Sequence, residues 1–77
     1  MELRIGVMNA PKEIVLDIDD DKKTSDKVAK DVEAAIAAAG VLWVEDSRGR
    51  RVAVPADRLA YVEFGSPDDH RVGFGVG

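Results

Sequence analysis

The sequence predicts an α+β fold, ordered ββαβββ, with a single helix packed on one face of a mainly antiparallel sheet. Three observations support this fold class. Apolar and polar residues alternate through the first 18 positions, apolar residues recur at helical spacing over positions 25–39, and alternation returns from position 41. A run of antiparallel strands with one helix on a single face is typical of α+β domains.

The opening strands are predicted to form a β-hairpin. Their apolar residues fall on one face of each strand: Leu3, Ile5, Val7, Ile14, Leu16 and Ile18. This period of two is typical of half-buried strands, and residues 9–12 between them carry the asparagine and proline that turns favour. A hairpin followed by a helix also begins the β-grasp fold, so a β-grasp-like sheet and a partly closed barrel are alternative arrangements.

Residues 25–39 are predicted to form the helix. This stretch contains six alanines, the residue with the highest helix propensity. Thr24 or Ser25 is the expected N-cap, and Gly40 is the expected left-handed residue that ends the helix. The stripe expected to face the sheet consists of Val28, Val32, Ala35, Ile36 and Ala39.

Three further strands are predicted after the helix, over residues 41–45, 51–54 and 59–64. Residues 46–49 read Asp-Ser-Arg-Gly, a type I turn whose glycine takes the left-handed position. The second of these strands ends at Pro55.

Residues 71–77 alternate apolar side chains with glycines, RVGFGVG. This pattern predicts either a last strand with one bare face or a tail, ordered or frayed. With or without that strand, residues 1–77 are interpreted as a single domain, because a chain of this length is enough for one domain and not for two.

Composition narrows the classes of protein. The chain has no cysteine, which excludes disulfides, thiolate metal sites and a cysteine nucleophile. A small domain that folds without disulfides is most simply cytoplasmic. No signal peptide is visible, and no apolar run approaches the roughly 20 residues that a membrane span needs. We therefore expect a cytoplasmic protein without membrane contact.

Three segments carry a family resemblance: residues 1–6 (MELRIG), 49–63 (GRRVAVPADRLAYVE) and 71–75 (RVGFG). Together they resemble the small actinobacterial proteins of the domain-of-unknown-function 3107 family, and the resemblance extends over nearly the whole chain. It implies an actinobacterial cytoplasmic protein. It implies no activity, and it carries over no site residue, because no catalytic residues are established for that family.

Trp43, Arg51 and Tyr61 are the candidate protein-interface residues. If the helix is faced by Leu42, Val44, Val62 and Phe64, the pleat places these three side chains on the helix-free face of the sheet. Aromatic residues and arginine are the types that interfaces favour. The expected partner is another protein or a second copy of the chain. In the alternative, the sheet curls and buries the aromatic side chains in the core.

Arg48, Arg50 and Arg51 form a second candidate site, at the hairpin over residues 48–51. Guanidinium groups match phosphate oxygens, so a nucleic-acid-binding domain is the alternative function. The net charge of −4 argues against it, because nucleic-acid affinity depends on a basic field.

Asp17, Asp19 and Asp21 have the spacing of a calcium loop. Such a loop also requires glycine at position six and glutamate at position twelve, where this chain has Lys22 and Val28. We therefore interpret the acidic run as a solvated loop before the helix and expect no metal.

We expect no catalytic residue and no cofactor. His70 is the only histidine, and no nucleophile motif surrounds Ser47 or Ser66. A small-molecule binding site is a further alternative, because pockets leave little trace in a single sequence. The sequence thus favours a non-catalytic interaction module.

Overall fold

The computed structural model describes residues 1–65. In order, their strands and α-helix are β1 (Glu2–Val7), β2 (Ile14–Asp17), α1 (Lys22–Ala38), β3 (Val41–Glu45), β4 (Arg51–Pro55) and β5 (Leu59–Phe64). A short 3₁₀ helix, Ala56–Arg58, precedes β5. The predicted α+β class and the ββαβββ order are confirmed. The last strand predicted at residues 71–77 lies outside the described residues.

The strands form two antiparallel sheets where the sequence predicted one. β1 is the middle strand of a three-stranded sheet and pairs with β2 on one side and β5 on the other. β3 and β4 form a separate two-stranded sheet, whose turn contacts β2 through the Ser47 N–H, which donates to the Asp17 carbonyl at 2.8 Å. Within residues 1–65 no closed barrel forms.

The core lies between the two sheets and α1. Leu3 and Ile5 of β1 have no exposed surface, and the other buried apolar residues surround them. These are Leu16, Ile18, Val28, Ala35, Leu42, Val44 and Val54. The buried residues alternate along β1, along β3 and at Leu16 and Ile18, so the alternation predicted for these segments is confirmed. Burial of such side chains contributes about 1.5–3 kcal/mol each.

α1 contributes fewer buried residues to the core than the predicted apolar stripe contained. Val28 and Ala35 are buried, seven positions apart on one line of the helix surface. Ile36 is 58% exposed and Ala39 is also exposed, so the prediction that both belong to the core is wrong. Ile36 follows Ala35 by one position, which turns its side chain about 100° around the helix. A small core covers only the stripe directly facing it.

Both ends of α1 differ from the prediction. The helix begins at Lys22 because Asp21, rather than Thr24 or Ser25, is the N-cap: its Oδ1 accepts from the Thr24 N–H at 2.7 Å. Aspartate caps as well as serine does, so capping preference alone does not choose among Asp21, Thr24 and Ser25. At the other end, Ala39 takes the left-handed conformation predicted for Gly40, with φ 53°.

The hydrogen bonds explain this C-terminus. The Gly40 N–H donates to the Ala35 carbonyl at 2.9 Å, and the Ala39 N–H donates to the Ile36 carbonyl at 3.2 Å. This pattern is a Schellman motif with Ala39 at the left-handed position. The left-handed backbone conformation costs an alanine about 1–2 kcal/mol relative to the right-handed conformation.

Among the helices in the described part of the chain, none has the length and apolar character that crossing a membrane requires.

The Asp21 cap predicts a pH-dependent contribution to stability. The Thr24 N–H favours the carboxylate and lowers the pKa of Asp21 below its ordinary value of 3.8. Because the folded pKa is depressed, the contribution is present above the unfolded pKa and is lost as the pH falls through the folded pKa. We expect Asp21→Ala to lower the thermal unfolding midpoint at pH 7 and to change it less as the pH falls below 3.8.

Asp20→Ala is the matched control, since Asp20 is an exposed aspartate directly before the cap. Thermal unfolding followed by circular dichroism measures both variants. Equal midpoints for the two variants at pH 7 would contradict the assignment of Asp21 as the cap.

Candidate functional site

Trp43 lies on the outward face of β3. Its neighbours Leu42 and Val44 are buried, whereas the Trp43 side chain is 57% exposed. The guanidinium carbon of Arg51 lies 5.1 Å from the centre of the Trp43 ring, within the range of a cation–π interaction. Register explains the contact, because Trp43 is opposite Ala53 and Arg51 is the diagonal neighbour on β4.

This side of the two-stranded sheet is a continuous exposed surface. Five residues contribute to it, and all five are exposed: Val41, Trp43, Glu45, Arg51 and Ala53. We call it the tryptophan face. It combines an apolar centre with one positive and one negative side chain.

The tryptophan face borders the helix. A groove of about 440 Å³ runs between β3 and α1, with Val41 and Trp43 on one wall and Ala34 and Ala38 on the other. The predicted helix-free position of Trp43 therefore needs correction: the ring points outward, but α1 lies beside it. The small alanine side chains keep the groove open.

Tyr61 belongs to the other sheet, so the structure brings together two of the three predicted interface residues. Tyr61 is 46% exposed, and its hydroxyl donates to a carboxylate oxygen of Glu13. The hydrogen bond to Glu13 is the main cause that raises the pKa of Tyr61, and burial of the hydroxyl raises it further. Trp43 and Tyr61 are both exposed. The alternative in which the sheet curls and buries the two aromatic side chains in the core is therefore wrong.

Gly6 is the reason that Tyr61 can lie flat on the sheet. The two residues are opposite each other in the β1–β5 register, and the tyrosine ring covers the glycine. A Cβ added at Gly6 would overlap Cε2 of Tyr61, well inside van der Waals contact. A strand glycine of this kind marks a close approach of another group.

Arg4 organises the charges beside Tyr61, although it is not among the site residues predicted from the sequence. Its Nε lies 3.2 Å from Glu2 Oε1, and its Nη1 lies 3.6 Å from Glu13 Oε1 and 4.0 Å from Glu63 Oε1. The hydrogen bond to Glu2 is the main cause that raises the pKa of Arg4. The alternating pattern of β1 did place Arg4 on the strand face opposite Leu3 and Ile5, and this was the sequence feature that could have identified it. Arg4 holds Glu13 in place for the tyrosine hydroxyl.

The three hairpin arginines do not converge. Arg50 donates from Nη2 to the Val15 carbonyl at 3.0 Å, and its Nε lies 3.5 Å from Asp46 Oδ2. Arg51 stacks on Trp43, and Arg48 is exposed at the turn. Arg50 is thus committed to holding β4 against β2, which weakens the prediction of a shared phosphate site.

Asp46 is the structural centre of that turn. It is only 6% exposed, and its Oδ1 accepts from the N–H groups of Arg48 at 2.9 Å and Arg50 at 3.1 Å. Burial would raise the pKa of Asp46, but these two donors and the nearby guanidinium groups outweigh it and lower the pKa. Gly49 has φ 90°, as predicted for this turn.

Metal and catalytic chemistry have few candidate groups here. Among residues 1–65 no group of three or more His, Asp or Glu side chains is arranged to hold a metal ion. The Ser47 hydroxyl donates to Asp17 Oδ2 at 3.0 Å, which joins the hairpin turn to β2. Ser66 and His70 lie outside the described residues.

The contact between Gly6 and Tyr61 predicts a paired effect. We expect Gly6→Ala to destabilise the fold by about 1–3 kcal/mol, because the added methyl group displaces the tyrosine ring. Combining Gly6→Ala with Tyr61→Ala removes the obstructing ring, so the double variant should lose less than the two single variants summed. Urea unfolding of all four proteins measures this coupling. Additive losses would contradict the contact.

No curated protein matches the chain. A family model with the description "Protein of unknown function (DUF3107)" matches residues 1–75, nearly the whole chain. The family inferred from the three segments of the sequence is therefore confirmed, and the chain belongs to the domain-of-unknown-function 3107 family.

Proposed function

We propose that this chain is a small cytoplasmic protein-interaction module without catalytic activity, which binds a protein partner or a second copy of itself through the tryptophan face. The observation that supports this best is the exposed Trp43 ring with Arg51 stacked on it. The cysteine-free composition supports the cytoplasmic location, and the family resemblance supports an actinobacterial origin.

An exposed tryptophan is energetically unfavourable for an isolated domain. Tryptophan side chains bury about 150–250 Å² when enclosed, at about 25 cal/mol per Å². Trp43 forgoes more than half of that burial in the isolated chain, since it is 57% exposed. A partner that covers the ring recovers this free energy, which is why tryptophan is enriched among the residues that dominate binding.

Arg51 prepares the surface for binding. Its guanidinium group lies over the Trp43 ring before any partner arrives, so less side-chain entropy is lost on association. The adjacent groove, walled by Ala34 and Ala38 of α1, gives room for an apolar side chain of a partner beside the ring. An aromatic anchor next to a pocket is the usual arrangement at the centre of a binding site.

Trp43→Ala tests this function. We expect association to weaken by at least about 30-fold, corresponding to the roughly 2 kcal/mol loss that defines a dominant interface residue. The thermal unfolding midpoint should change little, because the ring contributes little to the core. Met8→Ala is the matched control, since Met8 is a large apolar residue, 50% exposed, outside the tryptophan face.

The measurement combines sedimentation velocity for self-association with recovery of partners by the tagged full chain, with and without nuclease. Loss with Trp43→Ala and retention with Met8→Ala is the expected result. Equal recovery by both variants would contradict the assignment of the tryptophan face.

Nucleic-acid binding by Arg48, Arg50 and Arg51 is the alternative, supported by three arginines within four positions. Arg48→Ala is the informative variant, because Arg50 also supports the fold through Val15 and Asp46. If the alternative holds, affinity for an oligonucleotide falls steeply with salt, and Arg48→Ala reduces the slope of log affinity against log salt by about 1. Absence of binding at low salt would exclude it.

A further inference from the structure

The tryptophan face is built from matched cross-strand pairs. The antiparallel register aligns its side chains two by two across β3 and β4, and exposed Pro55 completes the set: Val41 with Pro55, Trp43 with Ala53, and Glu45 with Arg51. In the central pair a large side chain lies opposite a small one. In the pair at the turn end a negative charge lies opposite a positive one. The β4 half of the face therefore carries the complement of the β3 half.

This arrangement makes the face complementary to itself. In an isologous dimer a twofold axis brings residue i of one copy to residue j of the other, and residue j to residue i. An axis parallel to the strands, midway between β3 and β4, exchanges the two strands. Trp43 of one copy then meets Ala53 of the second copy. At the turn end, Glu45 of each copy meets Arg51 of the other.

A twofold axis that runs across the strands lacks this complementarity. It would leave each strand facing its own copy, with the two ends of the face exchanged. The two Trp43 rings would then meet at the centre. Glu45 would cover Val41 of the second copy, and Arg51 would cover Pro55. Because a charged group covered by apolar side chains loses its hydration without gaining a partner, the register favours the axis parallel to the strands.

We propose that the tryptophan face binds a second copy of this chain, face to face, about a twofold axis parallel to β3 and β4. This proposal rests on the proposed function and names the partner of the same surface. Its apolar centre supplies the affinity, since both Trp43 rings, each 57% exposed in the isolated chain, become covered. The two contacts between Glu45 and Arg51 fix the orientation of the copies.

The geometry of packed sheets accommodates this dimer. Sheets that pack face to face keep their strand directions within about 30° of each other. The Glu45–Arg51 pair lies two residues, about 7 Å, from the central pair, so a 30° rotation displaces it by about 3.5 Å, a distance that its long side chains can span. The six residues are far fewer than the roughly 20–30 on each side of a standard interface, so we expect a weak dimer.

Charge exchange between copies tests the proposal. Glu45→Lys and Arg51→Glu each place like charges face to face, so each variant alone should self-associate at least about tenfold more weakly than the unmodified full chain at low salt. An equimolar mixture of the two variants restores both opposite-charge contacts and should associate at least about tenfold more tightly than either variant alone. Sedimentation velocity over a range of concentrations measures all four samples.

Recovery on mixing is specific to a contact between copies, because mixing cannot repair a contact within one chain. If either variant unfolds, the exchanged protein Glu45→Arg/Arg51→Glu replaces both. It should self-associate as the unmodified chain does, and it should not associate with the unmodified chain.

Two results would overturn the proposal: no self-association of the unmodified chain at the highest soluble concentration, or a mixture that associates no more tightly than its components. If either result is found while Trp43→Ala still abolishes recovery of a partner protein, the proposed function stands and the partner is not a second copy. If neither Trp43→Ala nor the charge variants change any association, the assignment of the tryptophan face fails as well.

Discussion

The position of β1 between β2 and β5 is the constraint on which the rest of the structure depends. Its Leu3 and Ile5 side chains are completely buried, while Arg4 and Gly6 face the other way. A slip of one residue in either pairing would exchange these two faces. It would move a guanidinium group into the core and remove the glycine that the Tyr61 ring covers. The register of one strand therefore determines both the core and the outer surface.

The position of the two-stranded sheet is set by hydrogen bonds to β2. Ser47 and Arg50, on either side of the hairpin turn, both bond to backbone carbonyls of β2. Asp46 shapes the turn by accepting two backbone N–H groups at a nearly buried carboxylate. Because the turn is fixed in this way, Leu42 and Val44 face the core and Trp43 must face outward. The exposure of the tryptophan is a consequence of the fold and is not an isolated surface feature.

Local patterns were sufficient to predict the elements, but not how they assemble. Period-two alternation identified five strands, and the residues 46–49 identified a turn that the structure confirms through Gly49. The helix start was misplaced because Asp21, Thr24 and Ser25 are all good caps and only the tertiary structure selects one. The separation of Trp43 from Tyr61 depends on β5 pairing with β1 instead of β4. That long-range choice leaves no periodic signal, so the adjacency of Trp43 and Arg51, on paired strands, was predictable and the position of Tyr61 was not.

The central claim is that Trp43 is a surface residue held ready for a partner, and its fluorescence tests this most directly, because it is the only tryptophan in the chain. In dilute isolated protein, we expect emission close to that of the urea-unfolded chain and efficient quenching by acrylamide. Emission should shift to the blue, with reduced quenching, only when a partner or a second copy binds. Blue-shifted emission that acrylamide cannot quench, and that persists on dilution of the isolated protein, would place Trp43 in the core and contradict the account.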